Sequence, residues 1–245
     1  MAIRGLFIGC NYPGESYELP DCDLDSENLA ATLEPCFASG RCLLNKKASR
    51  KGVGAAFRKF YTELRPGDVP IVSFSGHGTS DTIDGKEVQG IVCNDGVVLY
   101  EFELRQLLAD LENAVLICDS CFSGGLPRAR VKSRPRTVPA SHVFWPRDIE
   151  IPSRMPAKPR VRYLACKGDE TADSTGNGGA FTNALIEAFD ERKENTTFIS
   201  LANAVKKMLP NKEHRQTPVF SYADRTFASR TLKSFNKKWN IPPRK

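Results

Sequence analysis

Two side chains capable of nucleophilic chemistry follow apolar segments of this 245-residue sequence. His77 follows the segment VPIVSFSG, and Cys121 ends the segment AVLICDSC. A cysteine thiol of ordinary pKa, about 8.5, is only a few per cent thiolate at neutral pH and needs a nearby imidazole to become an efficient nucleophile. Either residue alone is more often structural, because buried cysteines and hydrogen-bonded histidines are common in cores. Together the two residues indicate a cysteine–histidine catalytic pair.

Glycines surround this pair, with Gly78 directly after His77 and Gly124-Gly125 shortly after Cys121. Glycine permits tight turns and lets a substrate approach the backbone closely. Such turns leave backbone N–H groups free to bind a negatively charged oxygen. We therefore expect the N–H groups of Gly78 and Cys121 to form an oxyanion-binding pair.

The elements that must position these residues alternate between strand-like and helix-like patterns. This alternation predicts an α/β fold, a mostly parallel sheet with helices on both faces. Active sites of such sheets lie beyond the carboxyl ends of the strands, so His77 and Cys121 meet if their strands are neighbours. The predicted strands lie at 3–9, 41–44, 69–78, 89–93, 114–121, 160–168 and 217–222, and the predicted helices at 26–34, 51–64, 101–111, 180–190 and 199–209.

Composition excludes several classes of protein. With 40% hydrophobic and 26% charged residues, the chain is globular rather than disordered. No apolar run approaches the roughly 20 residues that cross a bilayer. The opening MAIRGLFIGC lacks a small-residue cleavage site and is interpreted as a first strand rather than a signal peptide. We expect a soluble, cytoplasmic protein.

The net charge of +6 comes from one segment. Residues 126–160 carry nine Lys/Arg against two acidic residues and hold seven of the sixteen prolines, whereas the rest of the chain is close to neutral. We interpret this segment as a basic, Pro-rich linker that cannot form regular structure. Aromatic residues are not interleaved at useful spacing in it, so we do not expect a nucleic-acid partner.

The eight cysteines do not indicate a disulfide or zinc scaffold. Without an export signal a reducing compartment is expected, and the spacings do not form two CxxC pairs. Cys118 and Cys121 make the one CxxC motif, which raises thiol–disulfide exchange as an alternative. Because Cys118 lies inside an apolar segment rather than at a helix start, we do not favour that alternative.

Two motifs resemble those of metacaspases, in the caspase-like clan of cysteine peptidases. They are Phe74-Ser75-Gly76-His77-Gly78 and Asp119-Ser120-Cys121-Phe122-Ser123-Gly124. Other segments resemble the family in the same order along nearly the whole chain: FIGCNY at 7–12, CDLD at 22–25, ACKGDETAD at 165–173, GAFTNAL at 179–185 and QTP at 216–218.

The resemblance implies a caspase-like fold of about six strands in one domain, 1–245. The domain would comprise a large-subunit-like region (1–125), the linker (126–160) and a small-subunit-like region (161–245). It also implies a monomeric cysteine endopeptidase with His77 as general base and Cys121 as nucleophile, acting on proteins and peptides through a thioester. An inactive caspase-like scaffold that binds a partner is the alternative.

Family members cut after Arg or Lys, which requires buried carboxylates that face the substrate side chain. The matching acids are Asp25 and Asp119, with Ser75 beside them. Asp25 has an alternative role, because Asp23 or Asp25 could equally cap the helix that follows. Asp119 lies two residues before the nucleophile and is harder to explain structurally. The same specificity would let the enzyme cut its own linker, at Arg128, Arg130, Lys132, Arg134 or Arg136.

The sequence departs from calcium-dependent relatives, which have two adjacent aspartates ahead of the helix before the cysteine strand. The corresponding segment here reads LYEFE at 99–103, and Asp84 and Asp95 are too few for the six to eight oxygens of a typical calcium site. We expect no cofactor and no metal, with calcium activation left open.

Overall fold

A computed structural model of the protein describes residues 2–109, 111, 113–121, 134–153, 156–167, 170 and 172–235. The strands are β1 (Ile3–Gly9), β2 (Phe37–Leu44), β3 (Val69–Ser75), β4 (Gly78–Ile83), β5 (Lys86–Val92), β6 (Val98–Tyr100), β7 (Val115–Asp119), β8 (Arg134–Pro135), β9 (Val161–Leu164), β10 (Asp173–Ser174) and β11 (Val219–Tyr222). The α-helices are α1 (Cys22–Leu33), α2 (Arg50–Glu63), α3 (Glu101–Ala109), α4 (Ala180–Asp190), α5 (Phe198–Met208) and α6 (Arg225–Ala228).

A six-stranded sheet in the order β2-β1-β3-β7-β9-β11 forms the centre of the fold. Every neighbouring pair is parallel except β9 and β11, which are antiparallel. This sheet and its helices confirm the predicted α/β class. The two strands that precede the reactive residues are direct neighbours, and Ser75 pairs with Asp119 where both strands end.

The sheet is covered on both faces, so its central strands are mostly apolar and are buried on both sides. All residues of β3 and β7 are buried. In β1, Phe7 packs with α1, α4 and α5, whereas Leu6 and Ile8 pack with α2 and α3. Successive strand side chains point to opposite faces, which explains why one strand serves both clusters.

The three-stranded antiparallel sheet of β4, β5 and β6 is larger than the single strand predicted at 89–93. The sequence analysis did not predict β4, because its sequence, GTSDTI, is mostly polar and shows no clear apolar alternation. A two-residue turn at Asp84-Gly85 joins β4 to β5, and both residues have positive φ. Asp-Gly is a strong hairpin signal that could have revealed this sheet.

Part of the Pro-rich linker is ordered against the fold, contrary to the prediction that it lacks regular structure. Its residues 126–133, 154 and 155, including Arg128, Arg130 and Lys132, lie outside the described residues. Further along, β8 pairs with β10, and the side chains of Val138 and Trp145 are buried. Proline excludes this segment from helices but leaves extended pairing available. No helix among the described residues is long and apolar enough to cross a membrane.

Candidate active site

The ends of β3 and β7 bring the predicted site residues to one edge of the sheet. His77 follows the last residue of β3 by two positions, and Cys121 follows the last residue of β7 by two positions. The Gly76 N–H donates to the Asp119 carbonyl at 3.3 Å and holds the two strand ends together beyond the sheet. Both reactive side chains are buried, His77 with 2% of its surface exposed and Cys121 with none.

A segment of the linker, residues 134–138, lies across this edge in extended conformation, and we call it the cleft segment. Its β8 residues pair antiparallel with β10. The Arg136 N–H donates to the Ala172 carbonyl at 2.9 Å, and the Val138 N–H donates to the Gly78 carbonyl at 3.3 Å. The cleft segment is therefore held by main-chain hydrogen bonds on both sides, as an added β-strand is.

The carbonyl oxygen of Arg136 accepts two backbone hydrogen bonds. The Gly78 N–H lies 3.0 Å from this oxygen and the Cys121 N–H lies 3.2 Å from it. These are the two N–H groups that the sequence analysis named as an oxyanion-binding pair. Their convergence on one carbonyl oxygen places that carbonyl group beside Cys121.

The guanidinium of Arg136 is fully buried among the three residues predicted to form a substrate pocket. Its Nη2 donates to Asp25 Oδ2 at 2.6 Å. Its Nη1 donates to Ser75 Oγ and to the Asp119 carbonyl, and lies 3.6 Å from Asp119 Oδ1. Burial would lower the pKa of Arg136, but the carboxylates of Asp119 and Asp25 raise it well above its usual value. Arg136 is therefore a buried cation.

The structure excludes one of the two roles considered for Asp25. Helix α1 begins at Cys22 with Asp21 at the N-cap position, so the helix-cap interpretation of Asp23 and Asp25 is wrong. Asp25 lies inside the helix, where its Oδ2 also accepts from Ser75 Oγ at 2.6 Å. Its Oδ1 accepts from the Gly179 N–H at 2.7 Å.

The start of α4 closes the pocket on the opposite side. Asp119 Oδ2 accepts from the Thr182 N–H at 3.0 Å and from Thr182 Oγ1 at 2.7 Å. Burial raises the pKa of Asp119 to about 6, against the lowering effect of the Arg136 guanidinium. Gly179 leaves room for the pocket because it has no side chain. A Cβ there would lie 2.2 Å from Asp119 Oδ2 and 2.8 Å from Arg136 Cζ.

His77 is oriented by Tyr12 and Tyr17, which the sequence analysis did not assign to the site. Its Nε2 lies 2.6 Å from the Tyr17 carbonyl oxygen, which requires the proton on Nε2 and leaves Nδ1 with a free lone pair. The Tyr12 hydroxyl accepts from the His77 N–H at 2.8 Å and donates to the Val92 carbonyl at 2.7 Å. Burial lowers the pKa of His77 to about 4, so its imidazole is neutral at pH 7.

Cys121 Sγ accepts a hydrogen bond from the Ala172 N–H at 2.7 Å. A hydrogen bond with Cys121, together with burial, raises the pKa of Cys166, which therefore remains a thiol. The other cysteine of the CxxC motif, Cys118, is buried within β7, and its Sγ lies 3.2 Å from Ser120 Oγ. Burial raises the pKa of Cys118 to about 12, which does not suit thiol–disulfide exchange.

The acids considered for calcium do not assemble a site. Among the described residues, no group of three or more His, Cys, Asp or Glu side chains is arranged to hold a metal ion. Both carboxylate oxygens of Asp95 accept from the Arg50 N–H at 3.2 Å, and Asp84 lies in the turn between β4 and β5. Metal-independent activity stays a prediction.

Comparisons with known proteins agree with this fold. A family model described as Caspase domain (Peptidase_C14) matches residues 4–228. Metacaspase-5 of Trypanosoma brucei brucei is 24% identical over 258 residues, 89% of this chain and 50% of that protein. Metacaspase-7 of Arabidopsis thaliana is 31% identical over 144 residues, 51% of this chain and 36% of that protein.

Two solved structures share the fold. Protein GSU0716 from Geobacter sulfurreducens has a TM-score of 0.75 at 23% identity, over 96% of this chain and 98% of that chain. Caspase-1 from Spodoptera frugiperda has a TM-score of 0.56 at 11% identity, over 90% and 85% of the two chains. The chain belongs to the caspase domain family, which confirms the metacaspase and caspase-like resemblance. It spans half or less of the length of these two metacaspases.

The geometry of the pocket predicts that one methyl group added at Gly179 would disturb the binding of the Arg136 guanidinium. Gly179→Ala should displace the Arg136 guanidinium, because the new Cβ would overlap Asp119 and Arg136. In a Cys121→Ala background, trypsin should then cut after Arg136, which the parent protects by burial. Mass spectrometry of timed digests would identify that fragment. Gly54→Ala is the control, since its Cβ would meet only Arg58 at 3.7 Å. Equal protection in both variants would contradict the pocket geometry.

Proposed function

We propose that the chain is a cysteine endopeptidase that cuts peptide bonds after arginine or lysine, with Cys121 as nucleophile and His77 as general base. The observation that carries the proposal is the placement of Arg136, whose guanidinium contacts buried carboxylates while its carbonyl oxygen accepts from Gly78 and Cys121. The side chain of Arg136 thus occupies the cation pocket while its carbonyl oxygen occupies the oxyanion-binding pair. A substrate residue before the scissile bond requires the same two contacts.

The proposed reaction follows from these contacts. Cys121 Sγ attacks the carbonyl carbon of the residue whose side chain fills the pocket, while His77 Nδ1 accepts the thiol proton. The Gly78 and Cys121 N–H groups stabilise the negative oxygen that forms, and His77 then protonates the leaving amine. A thioester remains on Cys121. Water hydrolyses it with His77 again acting as base, which releases the new carboxyl terminus and restores the thiol.

Removal of either member of the catalytic pair should abolish hydrolysis. Cys121→Ala and His77→Ala should each lose nearly all turnover of an Arg peptide, because residues that act as a unit fail together. Thermal unfolding of each variant should confirm that the fold persists. A thiol-reactive peptide ending in Arg should label the parent only on Cys121. Turnover above a few per cent in Cys121→Ala, or no labelling of the parent, would contradict the proposal and favour the scaffold alternative.

As the pH falls, the pocket should lose affinity for a substrate cation before the proposed base His77 takes up a proton. Asp119 has a pKa of about 6 with the Arg136 guanidinium beside it, and that guanidinium lowers the pKa, so the carboxyl takes up a proton more readily when no cation fills the pocket. His77, with a pKa near 4, is still neutral near pH 6. KM for an Arg peptide should therefore rise as the pH falls toward about 6, while kcat changes little. Initial rates across this range separate the two constants. A fall in kcat at constant KM would show that the base, not the pocket, titrates.

The cleft segment predicts where the chain cuts itself. Of the basic linker residues that the structure describes, Arg136 has its carbonyl group beside Cys121, so the cut should fall between Arg136 and Thr137. Tethering gives this segment a high effective concentration, about millimolar for a flexible tether. Intact mass spectrometry should find fragments 1–136 and 137–245, formed with or without added calcium.

Two variants control this experiment. Arg136→Gln should remain a single chain, because glutamine cannot supply the buried cation. Arg134→Gln should still be cut after Arg136, since Arg134 precedes the bound residue by two positions. An active parent that stays intact, or a cut at Arg134 instead, would contradict self-cleavage at this bond.

A further inference from the structure

Asp21 is a third carboxylate at the pocket, and its surroundings are unusual for its position. It occupies the N-cap of α1, yet its side chain makes no capping hydrogen bond. Its Oδ2 instead accepts from Ser174 Oγ and from the Gly178 N–H at 3.0 Å. Its Oδ1 has no hydrogen-bond partner among the described residues, although only 1% of Asp21 is exposed. That oxygen lies 3.8 Å from Arg136 Nη2.

The Oδ1 atom of Asp21 therefore has the guanidinium as its favourable neighbour. A buried carboxylate oxygen without a hydrogen bond is costly unless a positive charge compensates it. Helix capping does not account for this placement, since the capping hydrogen bond is not made. The link to Ser174 and Gly178 uses only Oδ2, so it does not account for Oδ1 either.

The contacts of Arg136 are divided between its two terminal nitrogens. Nη1 contacts Ser75 and Asp119, and Nη2 contacts Asp25 and faces Asp21. Nε has no hydrogen-bond partner among the described residues, so the pocket binds the guanidinium by its far end. A lysine side chain ends in one ammonium, and it is one bond shorter than an arginine side chain measured to these nitrogens. One ammonium cannot approach both groups of oxygens as closely as the planar fork does.

We propose that Asp21 is a specificity-determining residue that makes the pocket prefer arginine over lysine. This inference rests on the proposed peptidase function. Asp25 and Asp119 attract either a guanidinium or an ammonium. Asp21 adds an attraction that is stronger for Nη2 of a guanidinium than for the ammonium of a lysine. The three carboxylates together match the two-sided charge of a guanidinium.

The test compares two peptides that differ only in Arg or Lys before the scissile bond. The native chain should show a kcat/KM at least about tenfold higher for the Arg peptide. Asp21→Asn should lower kcat/KM for the Arg peptide about tenfold and for the Lys peptide less than about threefold. Asparagine keeps an oxygen that can accept from Ser174 and Gly178. Both peptides are measured on one preparation, so partly misfolded enzyme lowers both rates and leaves their ratio unchanged.

Asp23→Asn is the matched control, because Asp23 also lies at the start of α1 but contacts Asn45 at 3.0 Å instead of the pocket. It should retain the native ratio. An equal fall for both peptides in Asp21→Asn would show a structural role only and overturn the inference, as would a native chain without Arg preference. If the native chain cuts neither peptide, the peptidase proposal itself fails, and the inference fails with it.

Discussion

The buried positive charge of Arg136 is the interaction on which the geometry of the site depends. A fully buried guanidinium is strongly destabilising unless carboxylates and further hydrogen bonds compensate it. Asp21, Asp25 and Asp119 supply that compensation, and Ser75 adds a hydroxyl. The three carboxylates outnumber the cation, so they repel one another when the cation leaves. This surplus of negative charge is better suited to a pocket that takes up successive cations than to a permanent structural ion pair.

The sheet explains how residues distant in sequence reach one guanidinium. Parallel strands β3 and β7 end at the same edge, which brings Ser75 beside Asp119. Helix α1 packs against α4, so the carboxylate of Asp25 meets the first N–H groups of α4 at Gly179. The pocket is therefore formed by the ends of elements that the core holds in register, which keeps the carboxylates in place.

The strand ends were predictable from sequence because their chemistry is local. Asp119 ends an apolar strand, and His77 and Cys121 each lie two positions beyond the end of one. Gly78 comes directly after His77. Sequence patterns could not identify the carbonyl of Tyr17, since any residue has a carbonyl and only the fold brings this one to His77.

The roles of two other residues at the site, Asp21 and Arg136, depend on tertiary contacts and could not be identified from sequence patterns. Asp21 was not among the residues that the sequence pointed to, because only the fold brings its carboxylate to 3.8 Å from Arg136 Nη2. Arg136 was one of five basic candidates in the linker, and it is identified by the contacts of its guanidinium and of its carbonyl oxygen in the fold. The sequence did contain a usable signal for the missed hairpin, Asp84-Gly85, because positive φ at both turn residues is a local property.

In the proposed peptidase, specificity and catalysis are coupled through β7, because this strand ends in Asp119 and the chain reaches Cys121 two residues later. The pocket carboxylate and the reactive thiol therefore have a nearly fixed separation. A side chain in the pocket must span from the carboxylates to the backbone while its carbonyl oxygen reaches the N–H groups of Gly78 and Cys121, as Arg136 does. A substrate aspartate would place a fourth carboxylate among three. A neutral side chain would leave those three charges uncompensated and buried, so neither would hold its carbonyl carbon beside Cys121 as firmly as a basic residue does.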